Sequence, residues 1–243
     1  MKIVFLKFIG GIFVVWITGD MHGDLLRYKD KNIKKLKKGD YLIVCGDFGF
    51  VWNDSEEEQK ARKKISKRKF TTLFIEGINE NFKLLSSFPE EDFCGGKTLK
   101  IADKIYLLKS GEVFLLDGKR FFCFGGGDYT EFEDKGRFEP DETAFKRATE
   151  SLKKNNFEVD YVLSHDAPAS IKQFLGIDAF SFGHIAELLD GIMKKISYNK
   201  WFFAKYHVDK PISFKLQSVY RELIPLYDTA EPKNDRKKRK RDK

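Results

Sequence analysis

Phe13-Val14-Val15-Trp16-Ile17-Thr18-Gly19-Asp20-Met21-His22-Gly23-Asp24 combines a strand signal with a ligand signal. An unbroken apolar run rich in β-branched and aromatic residues reads as a strand buried on both faces. It stops at glycine, carboxylates and an imidazole, groups that bind metal or phosphate. Four more runs have the same form. Tyr41-Leu42-Ile43-Val44-Cys45 leads to Gly46-Asp47, Thr71-Thr72-Leu73-Phe74-Ile75 to Glu76-Gly77-Ile78-Asn79-Glu80, Val159-Asp160-Tyr161-Val162-Leu163 to His165, and Trp201-Phe202-Phe203 to Lys205-Tyr206-His207. Ligands in open α/β sheets sit beyond the carboxyl ends of the strands, so the five endings are predicted to converge on one site.

Outward from these runs, the connections read as helices and hairpins. Asn53 to Lys69 has candidate N-caps in Asn53 and Asp54, acids at its start and bases at its end, as a solvated crossover helix would. Leu25 to Gly39 is a polar, Lys-rich connection. Lys104 to Leu108, Val113 to Leu116 and Lys119 to Phe124 are short strands, the last two joined by Asp117-Gly118, a type I′ hairpin signal. Gly125-Gly126-Gly127 reads as a plain turn or a backbone passing close to the site, with a phosphate-cradling loop as the alternative. Helical spacing covers Glu142 to Asn155 and Phe182 to Ile196, which makes His184 a capping or surface residue. Pro211 to Tyr227 suggests closing strands.

A chain of 243 residues, 42% hydrophobic, can build one core. Its formal charge is +8, of which the run from Thr229 to Lys243 supplies +5, so the remainder is near neutral and gives no global nucleic-acid surface. Expected boundaries are a domain over 1–228 and a disordered basic tail over 229–243. Three cysteines in no paired spacing indicate core residues of a reducing compartment at Cys45 and Cys123, and a free thiol in a loop-like stretch at Cys94. Lys2 and Lys7 before an apolar stretch superficially resemble a signal peptide, but that stretch falls below the roughly 20 residues that cross a bilayer. A cytoplasmic protein without membrane contact is expected.

On chemistry alone, Asp20, His22, Asp47, His165 and His207 form a mixed carboxylate and imidazole set suited to a borderline divalent ion such as Mn, Fe or Zn. Buried polar residues satisfying loop backbones would explain one such residue better than five.

Gly19-Asp20-Met21-His22-Gly23-Asp24, Gly46-Asp47-Phe48-Gly49, Ser164-His165-Asp166-Ala167-Pro168 and the final His207 resemble the motifs of the calcineurin-like metallophosphoesterases, most closely their small single-domain microbial members. The resemblance runs from about Ile17 to Leu226. It implies an α/β fold, a calcineurin-like four-layer αββα sandwich of two mixed β-sheets flanked by helices, with two metal ions that hydrolyse phosphate esters. It further implies a first metal site of Asp20, His22, Asp47 and His207, with Asp47 bridging to a second.

The second site departs from the family. Where the motif is Gly-Asn-His-Glu, the chain has Gly77-Ile78-Asn79-Glu80, and where it is Gly-His-x-His, the chain has Ala204-Lys205-Tyr206-His207. Ile78 cannot coordinate an ion, and Asn79 cannot serve as a general acid. Two unit charges about 4 Å apart at an effective dielectric near 20 interact by roughly 4 kcal/mol, so an inward Lys205 ammonium would disfavour a second ion. One ion is expected, with Lys205 standing in for the second and holding a phosphate oxygen. Two ions are the alternative, if a one-residue slip makes Asn79 a ligand.

Three functions are compatible with these residues. One is a metal-dependent phosphoesterase, weakened by the replacements and acting on a phosphorylated small molecule or other phosphate ester. Another is a binding scaffold that has lost catalysis. The third is a nucleic-acid-associated phosphodiesterase using the basic tail over 233–243, which in a nucleated cell also reads as a nuclear address. Asp128 to Pro140 is the candidate lid over the site.

Overall fold

The computed structural model describes residues 14–128, 142–177 and 183–226. The candidate lid beyond Asp128, the stretch before Val14, Phe182 and the basic tail lie outside them.

The described strands are β1 (Val15–Thr18), β2 (Tyr41–Val44), β3 (Thr71–Phe74), β4 (Glu90–Phe93), β5 (Gly96–Ala102), β6 (Ile105–Leu108), β7 (Val113–Leu116), β8 (Lys119–Phe124), β9 (Tyr161–Ser164), β10 (Lys200–Phe203), β11 (Lys210–Pro211), β12 (Leu216–Ser218) and β13 (Ile224–Leu226). The described helices are α1 (Glu56–Ser66), α2 (Phe82–Leu85), α3 (Glu142–Lys154), α4 (Ala169–Leu175) and α5 (His184–Met193), and two 3₁₀ turns, Leu25–Lys29 and Ile33–Lys35, fill the connection after β1.

Two mixed sheets result, with strand orders β13-β1-β2-β3-β6-β5-β4 and β11-β12-β10-β9-β8-β7. In the first, β1, β2, β3 and β6 run parallel; in the second, β8, β9, β10 and β12 do. Alternation along each strand sorts the apolar runs into three layers. Ile17, Ile43 and Leu73 of the first sheet meet Phe121, Cys123, Leu163 and Phe202 of the second in the space between the sheets. The alternate residues face outward: Leu42, Val44 and Phe74 pack toward Ile65 of α1 and Tyr28. Phe122, Phe124, Val162, Trp201 and Phe203 pack toward Ala148 of α3 and Leu189 of α5. Burial on both faces is why these strands read as continuous apolar runs, and the layering is the two-sheet, helix-flanked architecture expected from the sequence.

The hairpin between β7 and β8 has the predicted turn, with Asp117 at φ 48° and Gly118 at φ 73°. Two local readings change. Helix α1 is capped by Ser55, whose Oγ accepts from Glu58 N, rather than by Asn53 or Asp54. Asn53 Oδ1 instead accepts from Ser55 N, Asp54 pairs with Arg62, and Glu58 reaches back to the Trp52 and Asp54 amides at 3.0 Å. Cys94 lies in the tight turn of a β4–β5 hairpin rather than in a loop, with φ 47° and its carbonyl accepting from Leu115 N of β7. His184 opens α5 and is exposed, as expected. Among the described residues no helix is long and apolar enough to cross a membrane.

Candidate metal centre

Because the parallel strands share a direction, their carboxyl ends share an edge. Asp20 and Asp47 follow β1 and β2, Asn79 lies beyond β3, His165 follows β9 at once, and Lys205 and His207 follow β10. The loops are stitched by backbone bonds: Asp47 O accepts from Met21 N at 3.1 Å and from His22 N at 2.8 Å, and Ala204 N donates to His165 O at 3.0 Å. His22, Asp47, Lys205 and His207 all hold left-handed backbone, at φ 48°, 43°, 65° and 53°. Each such residue costs roughly 1–3 kcal/mol, and residues of this kind cluster where a site must be held against local preference.

Asp20, His22 and His207 bring ligand atoms within 4.8 Å of one another. His207 Nε2 is 3.0 Å from Asp20 Oδ2 and 2.9 Å from His22 Nε2, and His22 Nε2 is 3.9 Å from Asp20 Oδ2. Asp20 is 1% exposed, and apart from the His207 imidazole no described residue donates to its carboxylate. A buried carboxylate this short of donors is costly unless a cation completes it. The Asp20 carboxylate holds the His207 imidazole above its ordinary range. The two imidazoles are open to solvent, at 39% and 48%.

His165 borders this cluster from the second sheet, fully buried. Its Nδ1 lies 2.9 Å from the Cys45 carbonyl, which can only accept, so Nδ1 carries a proton and Nε2 is turned toward the site. That Nε2 has no hydrogen-bond partner among the described residues and stands 3.9 Å from Asp47 Oδ1. A Cβ on Gly46, already at φ 110°, would collide with this ring, which is why glycine stands there.

Asp47 is gripped from the loop after β3. Asn79 donates to it twice, from its backbone N to Oδ1 at 2.8 Å and from Nδ2 to Oδ2 at 2.9 Å. Burial pushes the Asp47 carboxyl up, but His165 and the Asn79 bonds outweigh burial and leave it below its usual range. Gly77 packs against it so closely that a Cβ would overlap Asp47 Oδ1. Glu80, buried behind, accepts from Phe48 N at 2.9 Å; burial, then the Asp47 charge, drive its carboxyl well up. Ile78 is buried and apolar.

Lys205 points its ammonium to Asp166 Oδ2, at 2.9 Å, and to the Asp128 carbonyl. Asp166 is fully buried. It also accepts from Asp128 N, Ala167 N and the Tyr206 hydroxyl, while Lys172, 1% exposed, lies 3.9 Å away. Asp128 in turn caps α5, accepting from Gly183, Ile185 and Ala186 amides. This cluster was not foreseen. Asp166 stood in a motif already singled out, but its partners Lys172 and Lys205 become neighbours only through the fold.

A family model described as Calcineurin-like phosphoesterase matches residues 13–188. No sequence among functionally curated proteins matches the chain. Solved structures similar to it include a Staphylococcus aureus protein assigned as a 5′-nucleotidase, at 12% identity, TM-score 0.46, 86% of this chain and 49% of that one. A 5′-nucleotidase from Candida albicans is similar at 16% identity, TM-score 0.41, 86% of this chain and 45% of that one. The chain thus spans about half the length of the solved structures it matches.

Proposed function

This chain belongs to the calcineurin-like phosphoesterase family, and we propose that it hydrolyses phosphate esters at a centre where Asp20, His22 and His207 hold one divalent cation, with Asp47 and His165 at its border. The observation that carries this reading is the buried Asp20 carboxylate, short of donors and facing a pair of imidazole nitrogens that lie 2.9 Å apart. Mixed carboxylate and imidazole donors fit Mn, Fe or Zn. Such an ion supplies Lewis acidity toward phosphoryl oxygens and toward water.

The protein's own groups set the rest. Asp47 is kept ionised by His165 and Asn79, so it contributes negative charge at neutral pH. Asn79 donates to both Asp47 oxygens, and Ile78 offers no donor atom, which favours one ion over two. The Lys205 charge is taken up by Asp166, so we assign its part as holding the loop of His207 rather than standing in the second metal position. Asn79 contributes by orienting Asp47. With no acid at Asn79, a leaving group departs unaided, which typically forfeits about 10² to 10⁴ in rate. The favoured substrate is therefore a phosphorylated small molecule with a good leaving group, handled by one domain over 1–228 in the cytoplasm.

The test counts Mn²⁺ or Zn²⁺ ions per chain and follows hydrolysis of p-nitrophenyl phosphate and bis(p-nitrophenyl) phosphate, with Asp47→Asn as control. One ion, weakened in the control, with turnover of either ester, supports the proposal. Two ions would return Asn79 to a ligand role. No ion and no turnover would leave the scaffold reading, which the Ile78, Asn79 and Lys205 replacements favour. Deleting Thr229 to Lys243 tests the tail: salt-sensitive RNA or DNA binding would vanish with hydrolysis unchanged if it is a phosphate-binding arm.

A further inference from the structure

We infer that Tyr220 and Arg27 are positioning residues for the cation centre: Tyr220 fixes the plane of the His207 imidazole by a tilted ring contact, and Arg27 fixes Tyr220 relative to Asp20. The inference rests on the proposal that Asp20, His22 and His207 hold a cation.

His207 needs such a support. A metal-binding histidine commonly donates its second ring N–H to a carboxylate or carbonyl, which sets ring orientation. Here Nε2 faces Asp20 and His22, and among the described residues no hydrogen bond holds Nδ1. The ring is about half exposed and its backbone is left-handed, so neither burial nor a common backbone conformation restrains it. Its aromatic neighbours are His22, itself in the ligand set and edge-on with centroids 5.0 Å apart, and Tyr220, with ring centroids 4.7 Å apart and planes tilted by 31°. The Tyr220 contact lies within the centroid distances that aromatic pairs adopt.

Tyr220 is itself immobilised on both sides. Asp209 accepts from the amides of Tyr220, Arg221 and Glu222 at 2.6, 2.9 and 3.1 Å. The Tyr220 carbonyl accepts from Gly19 N at 3.0 Å, Thr18 Oγ1 at 3.1 Å and Arg27 Nη2 at 2.8 Å. Arg27 completes the link: Nη1 donates to the Asp20 carbonyl at 2.6 Å, Nη2 also to Thr18 Oγ1 at 2.7 Å, and its guanidinium carbon lies 5.9 Å from the centre of the Tyr220 ring. One planar five-donor fork thus ties the backbone of one cation ligand to the platform under another. Lysine, a point charge, cannot make the same set.

The experiment compares wild type, Tyr220→Phe, Tyr220→Leu and Arg27→Lys by Zn²⁺ affinity in chelator competition, by the visible d–d absorption of the Co²⁺-loaded protein, and by melting of the metal-free protein. Tyr220→Leu keeps every backbone bond and loses only the ring. It is expected to weaken Zn²⁺ binding about 10- to 100-fold and to alter the Co²⁺ spectrum, with metal-free melting little changed, while Tyr220→Phe matches wild type. Arg27→Lys should fall between. Wild-type affinity and spectrum in Tyr220→Leu would overturn the inference, as would an equal loss in Tyr220→Phe. If wild type itself binds neither Zn²⁺ nor Co²⁺, the cation-centre proposal fails first, and this inference with it.

Discussion

Lys205 Nζ lies 2.9 Å from Asp166 Oδ2, a contact between the residue two before His207 and the residue right after His165. It joins the loops that follow β9 and β10, so both histidines are delivered from a common anchor. Both partners are buried, at 9% and 0% side-chain exposure. Removing one partner of such a pair leaves the other charge stranded and costs about 3–5 kcal/mol, whereas removing both is often near neutral. Asp166 keeps Lys172 and the Tyr206 hydroxyl, so Lys205→Met should lose less than that in urea titrations at pH 7, whereas Asp166→Leu, which takes a carboxylate from two buried lysines, should lose at least as much. Equal stability for Lys205→Met and wild type would show the pair to be incidental.

Asp166 also fixes a pH dependence. Burial raises its carboxyl, but Lys205, Lys172 and the Tyr206 hydroxyl outweigh burial and bring it below the usual range. A depressed folded-state value means that its stabilisation is fully present above the unfolded value, about 3.9, and is lost as pH falls through the folded value. The stability difference between wild type and Asp166→Asn should thus be constant from pH 7 to about 5 and shrink below about 4. Denaturant melts across that range measure it, and a gap that widens toward acid would contradict this sign.

Asp20→Asn separates binding from folding. A cation present at 100 times its dissociation constant stabilises the wild type by about 2.7 kcal/mol. The variant should show no such gain, while its metal-free stability stays within about 1 kcal/mol of wild type, because removing a buried charge short of donors offsets the weakened His207 contact. Melting with and without Mn²⁺ decides. A variant that still gains stability from the ion would remove Asp20 from the ligand set.

Gly77→Ala should displace Asp47, since the added methyl overlaps both the Asp47 carboxylate and its backbone nitrogen. Overpacking of this kind costs about 1–3 kcal/mol. Cation affinity should fall together with stability, and retention of both would mean that the loop shifts freely.

The strands and the site were legible for one reason. Strands buried on both faces leave unbroken apolar runs, and the candidate site at the strand ends takes Asp20, Asp47, His165 and His207 from just past them. Hairpin β4–β5 was not legible, because Glu90–Phe93 alternates exposed and half-buried residues at a sheet edge and carries mostly acidic side chains. Its turn at Cys94-Gly95 lacks the Asn or Asp that marked Asp117-Gly118. Ser55-x-x-Glu58 has capping-box spacing, but Asn53 and Asp54, equally good N-cap types just before it, mask that signal. The Lys205 charge could be counted from the sequence, but its direction depended on Asp166 and the Asp128 carbonyl, 39 and 77 positions away.

The antiparallel pairing of β1 with β13, Val15 opposite Leu226, bears on how the protein is made. During synthesis β1 leaves the ribosome well before its outer neighbour and must wait for it, and Asp20 waits for His207 and for the Tyr220 carbonyl that receives the Gly19 amide. Chains dominated by such long-range pairings fold slowly and stay exposed to aggregation meanwhile. The proposed cation centre is therefore assembled only after nearly the whole described chain has been translated, and a nascent chain arrested before β10 is expected not to bind Zn²⁺.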